Sequence, residues 1–384
     1  MLGPTLPRRL AGWQILMLAG FALWGLLEIL NRGARAEDNV LSAVTVFYTV
    51  LQLASGILIL QGACEALVQS VEKLGARLSW DAFVAGTIAE MLATLPEFVV
   101  VIFLVRVDPV TAFTVAFITV YNNALIMSVY AFFLPRDREG LFVMPRAITR
   151  AGTEVLIAGA GLVLIIGIIK LAAATHGQQG ALYALDLIVI AGVLFGVFAL
   201  YLHTLIRHHA ASPEHVHAAP PEGQAAMSTI VWLFVLGVVG SVIGGDAVSA
   251  FADDALHHFK LPSIPTAIFL AFFAGLSELV IIYKAHRRQQ LAIALSNAFG
   301  GVAEVMFLVV PFTLATIGVF ALVTGDPIYH VPINFTTTTL VLLTFPVFFV
   351  LLQYLRNEHT FSVLQAGAMT GLYTLLLYAL MAWE

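Results

Sequence analysis

Charge is what this sequence has least of. Of its 384 residues only 11% are Asp, Glu, Lys or Arg, whereas a soluble domain carries about a quarter. With 60% of the residues hydrophobic, there is too little polar surface to face water, and the chain reads as a polytopic helical membrane protein. Cysteine is almost absent as well. The single Cys64 excludes an intrachain disulfide framework, and its apolar neighbours mark it as a small buried hydrophobe. The net charge of −5 carries little information, because in a membrane protein the distribution of Lys and Arg among the loops matters more than their sum.

What is present is a series of long apolar runs. Crossing roughly 30 Å of hydrocarbon at about 1.5 Å per residue takes some 20 residues, and runs of that length predict eleven helices. They lie near 11–31, 40–72, 80–105, 111–134, 147–172, 181–206, 228–256, 263–284, 290–317, 331–354 and 360–382. Arg8 and Arg9, the first apolar run and Ala34-Arg35-Ala36 imitate a secretory signal. That run is longer than a signal core, so an uncleaved helix is expected. With the N-terminus cytoplasmic, thirteen of the eighteen basic residues fall inside, leaving Arg32, Arg35, Arg106, Lys170 and Lys260 outside. This asymmetry predicts an external C-terminus.

The halves resemble each other at an offset of about 182 positions, with Gly62-Ala63 against Gly244-Gly245, Pro96-Glu97 against Ser277-Glu278 and Asn122 against Glu304. Five spans separate equivalent starts, and an odd number inverts the copy. The fold expected is an all-α membrane protein with one extra N-terminal helix followed by two inverted five-helix repeats, an architecture common among secondary transporters. The expected boundaries are an extra helix in 1–38, a first half in 39–206 containing repeat 62–130, a linker at 207–228, and a second half in 229–384 containing repeat 244–311. His208, His209, His215 and His217 make that linker histidine-rich. It reads as a solvated loop, although imidazole suits zinc, copper or nickel.

Acids inside the spans are the candidate functional residues. A carboxylate near the bilayer centre costs roughly 2.5 to 3.5 kcal/mol on insertion scales, and so marks function by default. Glu97 follows Thr94-Leu95-Pro96, and Glu278 follows Gly275-Leu276-Ser277. Each thus stands just after a bend signal. Glu90 is seven residues before Glu97, on the same helix face about 10.5 Å away. Asn122 and Asn123 in the fourth span and Ser296, Asn297 and Glu304 in the ninth add amide, hydroxyl and carboxylate oxygens. Hard cations such as Ca²⁺ take roughly six to eight oxygen ligands. Protons compete for the same carboxylates, because desolvation disfavours the charged form. The ion-binding set expected is therefore Glu97, Glu278, Thr94, Ser277, Asn122, Asn123, Ser296, Asn297 and Glu304, with Glu97 and Glu278 as the metal-holding pair and Glu90 and Glu304 as proton-relay candidates. Asn and Ser in membrane helices also serve simply to join helices.

These residues carry a resemblance. Leu92-Ala93-Thr94-Leu95-Pro96-Glu97 is similar to the G-T-S-x-P-E motif of the cation/Ca²⁺ antiporter superfamily, and Ala298 to Pro311, AFGGVAEVMFLVVP, is similar to its A-L-G-S-S-I-Q-I-A-L-F-V-x-P segment. Within the superfamily the chain most resembles the calcium/proton exchanger branch, which includes bacterial sodium or calcium/proton antiporters. The resemblance implies a multi-pass protein of the bacterial inner membrane that exchanges Ca²⁺, or Na⁺ or K⁺, for H⁺. The alternatives are a Na⁺-driven Ca²⁺ exchanger and, from other classes, an intramembrane enzyme or a metal-sensing channel. No cofactor is expected, since the cations are cargo. The expected partners are the lipid bilayer and inorganic cations, with no nucleic acid; monomer and homo-oligomer are both open.

Overall fold

The computed structural model describes residues 10–34, 43–78, 88–89, 91–144, 146–175, 180–210, 225–287, 289, 291–356 and 360–382. The helices are α1 (Gly12–Ala34), α2 (Ala43–Arg77), α3 (Leu95–Val107), α4 (Pro109–Tyr130), α5 (Arg146–Thr175), α6 (Ala184–Ala210) and α7 (Met227–Asp253). They are followed by α8 (Ser263–Ala274), α9 (Leu276–Arg287), α10 (Leu291–Glu304), α11 (Val310–Thr324), α12 (Phe335–Arg356) and α13 (Val363–Ala382). A π-helical turn, Asp254–His258, ends α7, and another, Val305–Val309, joins α10 to α11.

Among the described residues ten helical stretches are long and apolar enough to cross a membrane. Their limits fall within a few residues of those expected, and α2 and α7 are long, as their sequences required. The remaining expected span, 80–105, is represented by α3, since 80–87 and 90 lie outside the described residues. Glu90 and the linker histidines from His215 to His217 therefore fall outside the description.

Local sequence explains where helices start and stop. Asp108 caps α4: its Oδ2 accepts from the Thr111 backbone N–H at 2.9 Å, and Pro109 occupies the first position, where no N–H is needed. Gly325, at φ +67°, closes α11 in the left-handed conformation that glycine adopts freely. Asn334 opens α12, its Oδ1 accepting from the Thr337 backbone N–H at 2.8 Å.

The chain forms two compact units, Met1–Phe103 with His215–Phe259, and Leu104–Glu214 with Lys260–Glu384. In the first, α2 and α7 pack with glycines at the contact. A Cβ on Gly56 would come within 2.9 Å of Val248, one on Gly244 within 2.8 Å of Leu60, one on Gly240 within 3.1 Å of Ala63, and one on Gly237 within 2.5 Å of Leu67. One index rises as the other falls, so the two helices run antiparallel. The middle of this run lies near residues 61 and 243, which differ by the repeat offset. Equivalent helices of inverted copies are expected to meet in this way.

The second unit is built around α4, which is buried along nearly its whole length. Its packing keeps its pattern when the repeats are exchanged. The equivalent helices α5 and α12 pack on each other, while α6 packs on α11 as α13 packs on α4. Four short strands follow the same rule. β1 (Leu141–Val143) pairs antiparallel with β4 (Thr360–Ser362), and β2 (Ala181–Leu182) pairs with β3 (Val331–Pro332). Nothing in the hydropathy pattern announces these strands, because two or three loop residues leave no period to read.

Lys170, counted by the sequence on the external side near the end of the expected span 147–172, lies inside α5 with no solvent exposure. Cys64 is buried and makes no disulfide.

Candidate functional site: broken helices with a glutamate in the first turn

Both repeats interrupt the acid-bearing helix immediately before the acid. In the first unit residues 91–93 are helical, Thr94 is a turn, and α3 restarts at Leu95 with Glu97 in its first turn. Pro96 cannot donate a backbone hydrogen bond to the preceding turn. Thr94 Oγ1 donates instead to the Met91 carbonyl at 2.7 Å. In the second unit α8 ends at Ala274, Gly275 is the turn, and α9 restarts at Leu276 with Glu278 in its first turn. A carboxylate in a helix's first turn faces the unpaired N–H groups and the positive end of the helix dipole. That placement partly offsets the cost of an acid at membrane depth.

Glu97 is buried, and its Oε2 has no hydrogen-bond partner. Native proteins satisfy the great majority of buried polar atoms, so an oxygen left in this state is one that a cation or proton can use. Beside it in the first unit, Gly245 of α7 lets backbone come close to α3: a Cβ there would stand 3.0 Å from Val99 and 3.4 Å from Phe103.

Within the second unit the structure brings four expected or neighbouring residues together. A Cβ on Gly301 would lie 2.9 Å from Glu278 Oε2 and 3.2 Å from Asn123 Nδ2, and a Cβ on Gly275 would lie 3.5 Å from Asn123 Oδ1. The carboxylate of Glu278 and the amide of Asn123 thus both lie against the bare backbone of Gly301. Neither amide atom of Asn123 has a hydrogen-bond partner, nor does Asn122 Nδ2. The level of this asparagine pair is fixed by the preceding Tyr121, whose hydroxyl donates to the Leu340 carbonyl of α12 and lies 3.1 Å from Thr344 Oγ1.

Along α10, Asn297, Gly301 and Glu304 follow at spacings of four and three, on one helix face. Glu304 is buried and Asn297 half-buried. Glu304 stands where the α-helix gives way to the π turn, a distortion that concentrates at functional sites. Ser277 and Ser296 lie on α9 and α10, but their side chains are outside the described set. Gly301 is the site residue that the sequence does not announce, and only the carboxylate lying against it discloses its use.

A helix interrupted just before an acid, present once in each half of the chain, is the feature that sets this all-α membrane fold apart. Residues 229–382 match the family model described as sodium/calcium exchanger protein. That match assigns a sodium/calcium exchanger domain to residues 229–382, in the second half of the chain. The structure is similar to the crystal structure of the H⁺/Ca²⁺ exchanger CAX, with a TM-score of 0.67 and 14% identity over 96% of this chain and 91% of that one. It is also similar to native YfkE, with a TM-score of 0.62 and 12% identity over 96% of this chain and 99% of that one. The sodium-calcium exchanger NCX_Mj gives a TM-score of 0.52 and 16% identity over 86% of this chain and 97% of that one. A comparison with curated proteins finds no significant match.

Proposed function

We propose that the chain is a proton-coupled antiporter that exchanges Ca²⁺, or Na⁺ or K⁺, for H⁺ by alternating access. The observation that carries this reading is the repeated one: each copy restarts a broken helix with a glutamate, Glu97 in α3 and Glu278 in α9. The two carboxylates hold the cation. Asn122, Asn123, Asn297 and Glu304 supply further oxygens, and Thr94, Ser277 and Ser296 supply hydroxyls. A proton reaching the same carboxylates neutralises them and displaces the cation, so loading with one excludes loading with the other. Glu90 and Glu304 relay the proton. The chain lies in the bacterial inner membrane with its N-terminus cytoplasmic and its C-terminus external, and the segment between α6 and α7, within the expected 207–228, forms the cytoplasmic linker between the halves.

The H⁺/Ca²⁺ exchange named for CAX favours this reading. A second reading, Na⁺ as the driving ion, is favoured by the sodium/calcium exchanger domain over 229–382 and by NCX_Mj. Everted vesicles loaded with a pH dye separate the two. Dequenching on adding Ca²⁺, Na⁺ or K⁺ without a counter-cation supports proton coupling, and Ca²⁺ movement only against a Na⁺ gradient supports the second reading. Dequenching that survives Glu97→Gln together with Glu278→Gln rules out the carboxylate mechanism.

A further inference from the structure

Lys170 is the buried ionisable group that this mechanism leaves unused. It lies in α5 within the membrane-crossing stretch Thr153–Ala172 and has no solvent exposure. Its Nζ donates to Thr337 Oγ1 of α12 at 3.1 Å and sits 5.2 Å from the centre of the Phe113 ring of α4. Among the described residues no carboxylate lies within salt-bridge distance of it. An intramembrane lysine with no acid beside it is costly to keep and marks function by default.

The surroundings accommodate both protonation states. As an ammonium, Nζ has the Phe113 ring face and the Thr337 oxygen. As an amine, it can donate to that hydroxyl or accept from it, because Thr337 Oγ1 is both donor and acceptor. Thr337 in turn has Asn334 Oδ1 at 3.0 Å and the Pro332 carbonyl at 2.5 Å as acceptors for its proton. Pro332 belongs to the β2–β3 pair at the end of the bundle. Lys170 therefore lies about a turn from that face, where a proton can reach water.

The same helix links Lys170 to the acids of its own unit. Eleven residues earlier Gly159 packs on Phe307, a Cβ there standing 3.3 Å from the ring, and Phe307 is three residues beyond Glu304. Lys170 thus stands three turns, about 16 Å, along α5 from that level. At an effective dielectric near 20, a lysine charge and a Ca²⁺ ion so separated disfavour one another about thirtyfold. The other ionisable groups on the elements around Lys170 are Asp108 at the α4 cap, Asp186 in the first turn of α6, His330 beside β3, and Tyr121 of α4. α12 contributes only neutral Thr337 and Thr338 at that end.

We propose that Lys170 is a proton-binding residue coupled to the cation site, holding a proton when the cation is absent and giving it up to water at the β2–β3 face when the cation binds. The N–H bond breaks with its electron pair left on Nζ, and the arriving cation replaces the positive charge lost. This inference rests on the exchanger reading given above.

The chain has only four lysines, Lys73, Lys170, Lys260 and Lys284, so ¹⁵N-lysine labelling of the full-length protein in nanodiscs gives four Nζ signals, and Lys170→Met identifies one. At fixed pH, adding Ca²⁺ should move that signal toward the amine position in the wild type and leave it in place in Glu97→Gln/Glu278→Gln. By calorimetry, Lys170→Met, which is never charged, and Lys170→Arg, which is always charged, should shift Ca²⁺ affinity in opposite directions, separated about thirtyfold. A Lys170 signal unmoved at saturating Ca²⁺, or affinities of the two variants within twofold of each other, overturns the proposal even when exchange is intact. Wild-type protein that binds none of Ca²⁺, Na⁺ or K⁺ instead brings down the exchanger reading, and this inference with it.

Discussion

Glu278 rests against the backbone of Gly301, so close that a methyl group on Gly301 would stand 2.9 Å from the carboxylate Oε2. Real side chains do not tolerate that approach, so either the carboxylate or α10 would have to move. Gly301→Ala should therefore displace Glu278 and raise the KM for the transported cation about tenfold while the helices stay formed. Gly161→Ala, at a glycine with open space around it, should leave KM unchanged and serves as the control. Equal KM values for the two variants in proteoliposomes contradict the placement of Glu278.

Asn123 poses a different test, because neither of its amide atoms has a hydrogen-bond partner although the residue is buried. Leaving a buried polar group unsatisfied costs about 1–3 kcal/mol, and an apolar residue of similar shape avoids that cost. Asn123→Leu should thus hold or raise the melting temperature in detergent while lowering exchange at least tenfold. A variant that melts markedly earlier than the wild type shows that Asn123 is a structural residue.

The antiparallel contact of α2 with α7 depends on bare backbone, since a Cβ on Gly56 would lie 2.9 Å from the Gly244 carbonyl. Enlarging either residue overpacks the pair, at a typical cost of about 1–3 kcal/mol. Gly56→Leu should lower the melting temperature. Gly192→Leu, in α6 with nothing near it, should not. Similar melting curves for the two variants would show that α2 and α7 do not depend on this close approach.

Competition between cation and proton sets the sign of the pH dependence. Carboxylates that must be ionised to bind the cation lose it as pH falls, so apparent cation KM should rise on acidification, approaching about tenfold per pH unit for each competing proton. A KM independent of pH in dye-free ⁴⁵Ca²⁺ uptake would instead support Na⁺ as the driving ion.

Much of this architecture was legible in the sequence because membrane spans announce themselves by length and hydropathy. The breaks before Glu97 and Glu278 were also legible, through Pro96 and Gly275. Other features follow from tertiary contact alone. Gly301 looks like any packing glycine until Glu278 lies against it, and Lys170, near the end of an apolar run, gives no sign in the sequence that its side chain is fully buried. The strand pairs β1–β4 and β2–β3 are too short to carry a period. The π turn after Glu304 has no signature that composition provides.

The central claim is that Glu97 and Glu278 hold one cation together, and binding thermodynamics test it most directly. Calorimetric titration of the purified protein with Ca²⁺, Na⁺ and K⁺ should give one binding event that either Glu97→Gln or Glu278→Gln abolishes. The double variant should be no worse than either single one, since residues sharing one ligand are not additive. Wild-type affinity retained in either single variant, or losses that add independently, would contradict a shared site.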